Sequence, residues 1–402
     1  MLRFLLPFCL LSFTSSAQVG IQWAANVDLE LSKEGESSSY FTNEINSETT
    51  DWSFDIGRVQ GQLDFIFNKN LSFHSHFILQ RKRGWKNGLF QDLDNYTLKV
   101  AQLALDWKND KRNVQVLLGR IQNPFGYWYK RQSFKDRSIL SAPLMYSYFI
   151  NVSPEIGFVP SLGEENAVLV DGVREFGFSN LYNRGYRNGF AFLLGKETDL
   201  QFTLSAYNGN AGSKNSSSNP FLWNIVTKLS YPINYSWKVG LSYLHGTFLK
   251  DNTVDINDFR QSIYSINLVY SQQYWSVESE LFLSNYRTPI YDLESETFVQ
   301  SNEIIQEISL NNFSYYSTFK YEPPWLSGSF FSYRFDALLF GEDPTSLQNR
   351  DWDDDVIRHS FGVGYKLLSN LSIRMSYSTQ QVDDGVEMDQ QQTFRTILSY
   401  GL

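Results

Sequence analysis

The chain has 402 residues, including 10 Trp, 24 Tyr and 32 Phe, yet its mean hydropathy is -0.33 and only 19% of it is charged. That aromatic load excludes a disordered chain, and beyond the N-terminus no run approaches the ~18–20 apolar residues of a spanning helix. The 34 basic and 43 acidic residues give a formal charge of -9, which argues against nucleic acid as a partner.

Residues 1–17 read as a secretory signal peptide. Arg3 is a minimal basic start, residues 4–13 form a short apolar core, and Ser15-Ser16-Ala17 supplies small residues for cleavage after Ala17. Cys9, the one cysteine, lies inside this segment. The remaining domain, residues 18–402, therefore has no thiol for catalysis or for metal ligation, and no cofactor is expected.

Alternation with period two begins at once and continues along the domain. Ile21, Trp23, Ala25, Val27, Leu29 and Leu31 share one parity, with Gln22, Asn26, Asp28 and Glu30 on the other. Successive strand side chains face opposite sides, so one face is apolar and the other wet. The pattern returns at Leu71–Leu79, Leu200–Ala206, Trp275–Leu283 and Leu371–Tyr377. These runs reach about ten residues, the length of a tilted membrane-crossing strand. Short connections at 68–70, 108–113, 196–199, 232–234, 271–273, 322–324 and 368–370 alternate with long polar ones. The long ones lie around 32–50, 81–94, 209–221, 247–260, 287–305, 337–354 and 380–391. The spacing predicts an all-β, antiparallel transmembrane barrel of about sixteen strands, with both termini on the short-turn side. Residues 120–185 fit the count only as one long insertion, including the strand-like pieces near 167–178. Trp52, Trp107, Trp223, Tyr231, Tyr235, Trp275, Tyr321, Trp325 and Tyr365 fall at strand ends, as interfacial girdles do.

On these features the chain resembles the Gram-negative outer-membrane porins. Phe394, Thr396, Leu398, Tyr400 and Leu402 on one parity resemble the last-strand signature of that superfamily, although Leu402 stands where Phe or Trp is usual. Gly119-Arg120-Ile121-Gln122-Asn123-Pro124-Phe125-Gly126 is similar to the entry of the porin third loop, including that of phosphate-selective porin-like proteins, and Tyr207-Asn208-Gly209 to a strand-end motif of the same group. The resemblance implies a third loop folded inward as a constriction and a passive channel for small hydrophilic solutes or anions. It also implies an outer-membrane location among lipid and lipopolysaccharide, and a homotrimer.

Inward parity then assigns the pore wall. Arg334, Arg358, Arg374 and Arg395 fall one to each of the last four strands, Arg58 on the second strand lies beside them, and Lys99, Lys228 and Lys238 also point inward. Fixed cations raise the local anion concentration, so anion preference is expected; pairing of these arginines with loop groups is the structural alternative. In the insertion, Arg120, Lys130, Arg131, Lys135 and Arg137 precede Glu155, Glu164, Glu165 and Asp171. Either half can face the lumen. Negative charge gathers in the outer loops, notably at 351–355, a run without the spacing of a calcium loop. His74 and His76 share a face but lack a third ligand of suitable spacing, and no hydrolase or nucleotide motif is present. A non-enzymatic channel is expected, with a structural or adhesin barrel and a barrel-borne hydrolase as alternatives.

Overall fold

The computed structural model describes residues 20–34, 52–86, 89–131, 133–148, 150, 152–153, 157–158, 169–170, 173–174, 186–208, 223–248, 259–293, 300–345, 350–383 and 388–402. The segment read as a signal peptide lies outside these residues. Sixteen antiparallel strands close a barrel. The first five are β1 (Gly20–Glu34), β2 (Ser53–Asn68), β3 (Leu71–Lys86), β4 (Leu89–Asn109) and β5 (Val114–Gln122). After the insertion come β6 (Tyr186–Leu194), β7 (Gln201–Asn208), β8 (Trp223–Pro232), β9 (Trp237–Thr247), β10 (Arg260–Gln272) and β11 (Trp275–Leu293). The circuit ends with β12 (Gln300–Tyr321), β13 (Ser329–Phe340), β14 (Asp355–Lys366), β15 (Leu371–Asp383) and β16 (Met388–Gly401). Each strand pairs with the next, and β16 returns to β1 over the register Asn26↔Gly401 to Glu34↔Thr393. Closure gives the first and last strands of the sheet a partner on both sides.

The alternation has the sense of a membrane barrel. On β8, Asn224, Val226, Lys228 and Ser230 are buried, whereas Trp223, Ile225, Leu229 and Tyr231 are exposed on the outside. Trp23 is 66% exposed while Asn26 and Asp28 are buried. Apolar side chains thus face outward and polar ones inward.

Connections on one side are short, and local chemistry makes them so. Asn68 Oδ1 accepts the Asn70 amide at 2.8 Å, and Asn234 Oδ1 accepts the amides of Ser236 and Trp237, both at 2.9 Å. These side chains mimic the backbone of a turn. On the other side two of the expected loops are strand instead. Pairing of β3 with β4 continues to Lys86↔Leu89, and that of β11 with β12 to Leu293↔Gln300. Beyond the apolar outer belt both faces of a hairpin meet water. The hydrophobic alternation that marks a strand is lost there, while the backbone ladder persists.

The insertion between β5 and β6 enters the barrel. It carries 3-10 turns at Trp128–Lys130 and Phe134–Asp136 and one helical turn, α1 (Leu144–Ser147). The two-residue pieces Leu169–Val170 and Val173–Arg174 pair only with each other, outside the barrel sheet. Phe125, Leu144, Met145, Tyr146 and Ile150 of the insertion join Phe282, Tyr286, Leu310, Leu338 and Val356 of the wall in one buried cluster. Each large side chain fully buried this way contributes about 1.5–3 kcal/mol. The insertion is therefore a packed inner layer on one side of the lumen.

Candidate functional site

Polar anchors fix that layer in register. Glu280 on β11 is buried and accepts four hydrogen bonds: from the Tyr127 amide (2.9 Å), Ser265 Oγ (2.8 Å), Tyr146 Oη (3.0 Å) and Tyr316 Oη (3.0 Å). Beside it Lys228 Nζ donates to the Gly126 carbonyl, and the Gly126 amide donates to Ser242 Oγ at 3.2 Å. Gly126 has φ of 70°, and a Cβ there would lie 2.2 Å from Tyr146 Oη and 2.6 Å from Glu280 Oε1. Only glycine allows both the backbone conformation and the approach.

A second anchor uses arginine. Arg334 is 0% exposed and Arg358 2%. Both reach Asp336 Oδ2, at 2.9 Å and 3.3 Å. Arg334 also donates to the Ser141 carbonyl (2.9 Å), Ser141 Oγ (2.8 Å) and the Ala142 carbonyl (3.3 Å), and Arg358 donates to the Ala142 carbonyl. Asp336 Oδ1 in turn accepts the Leu144 amide at 3.3 Å. Two guanidiniums, one carboxylate and three loop backbone groups satisfy one another away from water, as buried charge requires.

The remaining inward arginines form a third contact, around Phe134. The guanidinium carbons of Arg58, Arg137 and Arg395 lie 4.6, 5.0 and 5.3 Å from its ring centre. Such stacking is a favourable cation–π geometry. Arg395 also pairs with Glu30 at 2.6 Å, and Arg137 donates to the carbonyls of Arg131 and Leu140. Arg374 reaches the Lys135 carbonyl at 2.8 Å.

The arginines read as a single wall thus form two groups under the insertion, one centred on Asp336 and one on Phe134. Arg131 pairs with Glu278, and Lys130 with Glu197 in the turn after β6. The Lys130 hydrogen bond holds the Glu197 carboxyl below the usual range. Lys135 is exposed on the insertion, and Lys99 is exposed on β4, opposite Ile78 on the inward parity of β3. Arg120 lies in β5, paired with Leu103 and Asn188, because that strand runs on to Gln122. Glu155 lies outside the described residues.

At the outer mouth, residues 350–355 fold back on the wall. The Trp352 indole donates to the Asn311 carbonyl at 2.7 Å, Asp355 Oδ1 accepts the Phe340 amide at 2.7 Å, and Tyr148 Oη donates to Asp353 at 3.0 Å. Burial, with Glu342 and Asp383 nearby, pushes the Asp351 carboxyl up. Two carboxylates of this acidic run therefore serve as loop fasteners.

Sequence reasoning did not single out Glu280, Asp336 or the tyrosines that meet Glu280. One signal was available. Phe282, Tyr286, Leu310, Leu338 and Val356 stand on the wet parity of their strands, where large apolar groups need a partner inside the barrel.

No family model matches the chain, and no curated protein matches it. Solved structures do. The outer membrane channel DcaP of Acinetobacter baumannii aligns with a TM-score of 0.60 at 10% identity, over 97% of this chain and 99% of that one. An anion-selective porin from Comamonas acidovorans gives 0.55 at 9% identity, over 96% and 100%. OmpF of Salmonella typhi, in complex with daunomycin, gives 0.55 at 10%, over 97% and 99%. At such identities the likeness is one of fold, and it extends over the whole barrel.

Proposed function

We propose that this protein is an outer-membrane porin, a passive channel for small hydrophilic solutes with a preference for anions. The observation that carries the reading is the barrel itself: sixteen closed strands, an apolar outer belt, and a polar inner wall narrowed by a docked insertion. Such a wall offers solutes water and fixed charge, and a non-enzymatic role belongs to the same proposal. The fold neighbours include proteins described as a channel and as an anion-selective porin.

In this reading the anion preference rests on only part of the set that parity suggests. Arg334 and Arg358 are spent on Asp336 and the loop backbone, so they act as anchors in this reading. Lys135 and Lys99, exposed on the insertion and on the inner wall, are among the cations a solute would meet. Export through a cleaved signal peptide, insertion among outer-membrane lipids and lipopolysaccharide, and assembly as a homotrimer belong to the same proposal.

Planar-bilayer recording tests it. Discrete conductance steps, in groups of three for a trimer, are expected, with a reversal potential on the anion side in a KCl gradient. Lys99→Glu with Lys135→Glu should move that potential toward cations. Absence of steps from the folded protein overturns the channel reading and favours a structural barrel, for which the packed inner layer is the supporting observation.

A further inference from the structure

On the inner wall near the short-turn side, His74 is held between two carboxylates. Its Nδ1 lies 2.9 Å from Asp64 Oδ1 on β2, and its Nε2 lies 3.1 Å from Asp106 Oδ2 on β4. All three share the inward parity: Asp64 lies opposite His74, Asp106 lies opposite Ser72, and Asp64 stands on the face of β2 that carries Arg58. His74 is three residues along β3 from the turn, about 10 Å at ~3.3 Å per residue. Its side chain is 25% exposed, so lumen water reaches it.

A neutral imidazole has one donor and one acceptor nitrogen, whereas a protonated one has two donors. Two flanking carboxylates are therefore satisfied together only by the imidazolium. The surroundings also provide for the other state. Asp106 has further partners, Lys108 Nζ at 3.0 Å and Gln115 Nε2 at 3.0 Å, so it can release the ring and stay solvated by protein. Ser72 Oγ stands 3.1 Å from Nε2, ready to donate to that nitrogen once its proton is gone. Asp64 keeps its bond from Nδ1 and one from Gln62 Nε2 at 2.8 Å. The Ser72–His74–Asp64 line resembles a hydrolytic triad, but Asp106 occupies the nitrogen that a general base would need free.

The groups facing the ring are thus Asp64 from β2, Ser72 from β3, and Asp106 with Lys108 from β4. With the ring charged, two anions and two cations balance. With it neutral, one negative charge is left on the wall. Resting on the channel reading, we propose that His74 is a proton-operated selectivity element of the turn-side vestibule, releasing a cation-attracting charge as pH rises. A fixed charge in a confined water path shifts ion permeability directly.

Reversal potentials in a KCl gradient between about pH 5 and 9 test this. Wild type should lose anion preference by roughly twofold as pH rises, following a single protonation. His74→Gln should give a flat response at unchanged conductance, and His76→Gln, its neighbour on the same face, should keep it. Ser72→Ala removes the donor that stabilises the neutral ring, so the midpoint should move to higher pH. Conducting steps with a pH-independent reversal potential, or a response that survives His74→Gln, overturn the inference and leave the channel reading intact. Folded protein without steps overturns the channel reading, and the selectivity role with it.

Discussion

Glu280 shows what one side chain does in this barrel. It joins wall to insertion through four donors. Breaking a buried, fully bonded charge typically costs about 3–5 kcal/mol. Glu280→Ala should therefore loosen the inner layer, seen as higher and noisier single-channel conductance and as new proteolytic cleavage within residues 123–150. Gly126→Ala should act the same way through steric clash and positive φ, costing more than about 1 kcal/mol. The Lys130–Glu197 pair is weaker, because both groups are largely exposed and screening leaves such pairs about 0–1 kcal/mol. Its pH dependence has a definite sign. The Glu197 carboxyl is depressed in the folded state, so the stabilisation is complete above the ordinary glutamate range. It is lost only as pH falls through the lowered value. Glu197→Gln should thus remove a small acid-sensitive component from thermal melts and leave neutral conductance unchanged.

At the scale of elements, the strands were legible wherever an apolar and a polar face alternate. Alternation from Ile21 to Leu31 and from Leu371 to Tyr377 named β1 and β15 and their outward sides, because a period of two has one physical meaning there. The outer ends of β3, β4, β11 and β12 were not legible, since wet surroundings on both faces erase the pattern. The insertion was legible as an intruder by its length and by the strand count. Its seat was not: that Arg334 meets Ala142 and Asp336 meets Leu144 depends on contacts about 190 residues apart, to which no local pattern points. Parity gives the side of the strand an arginine takes and not its partners, which for Arg334, Arg358 and Arg395 lie partly on other elements. This separates two classes of substitution. Arg334→Ala should raise conductance and lower stability by releasing the 141–144 segment, whereas Lys135→Ala should change ion preference with little effect on melting.

Over the whole molecule, the inner layer makes the barrel interior asymmetric. The apolar cluster covers the inner wall mainly along β8–β15, while the Asp64–His74–Asp106 cluster stands on β2–β4. On the channel reading the path left to solutes runs along the early strands, so substitutions on β2–β4 should alter selectivity more than equivalent ones on β10–β14. Ion permeability ratios across a matched series of inward Gln→Lys and Ser→Lys changes would measure that difference.

The ring of cations around Phe134 has a consequence for assembly. Arg58 belongs to β2 and Arg395 to β16, strands that flank β1 and the closing seam, and both touch the same side chain of the insertion. The seam joins segments more than 360 residues apart in sequence, as Arg395 and Glu30 illustrate, and contacts that distant form slowly because the loop must first be closed. An insertion already seated against β2 presents Phe134 to the arriving Arg395, which shortens the search for register. An inner layer seated in that order would act as a former around which the wall is drawn shut. Phe134→Ala should slow closure of the barrel in refolding experiments more than it lowers the stability of the finished one.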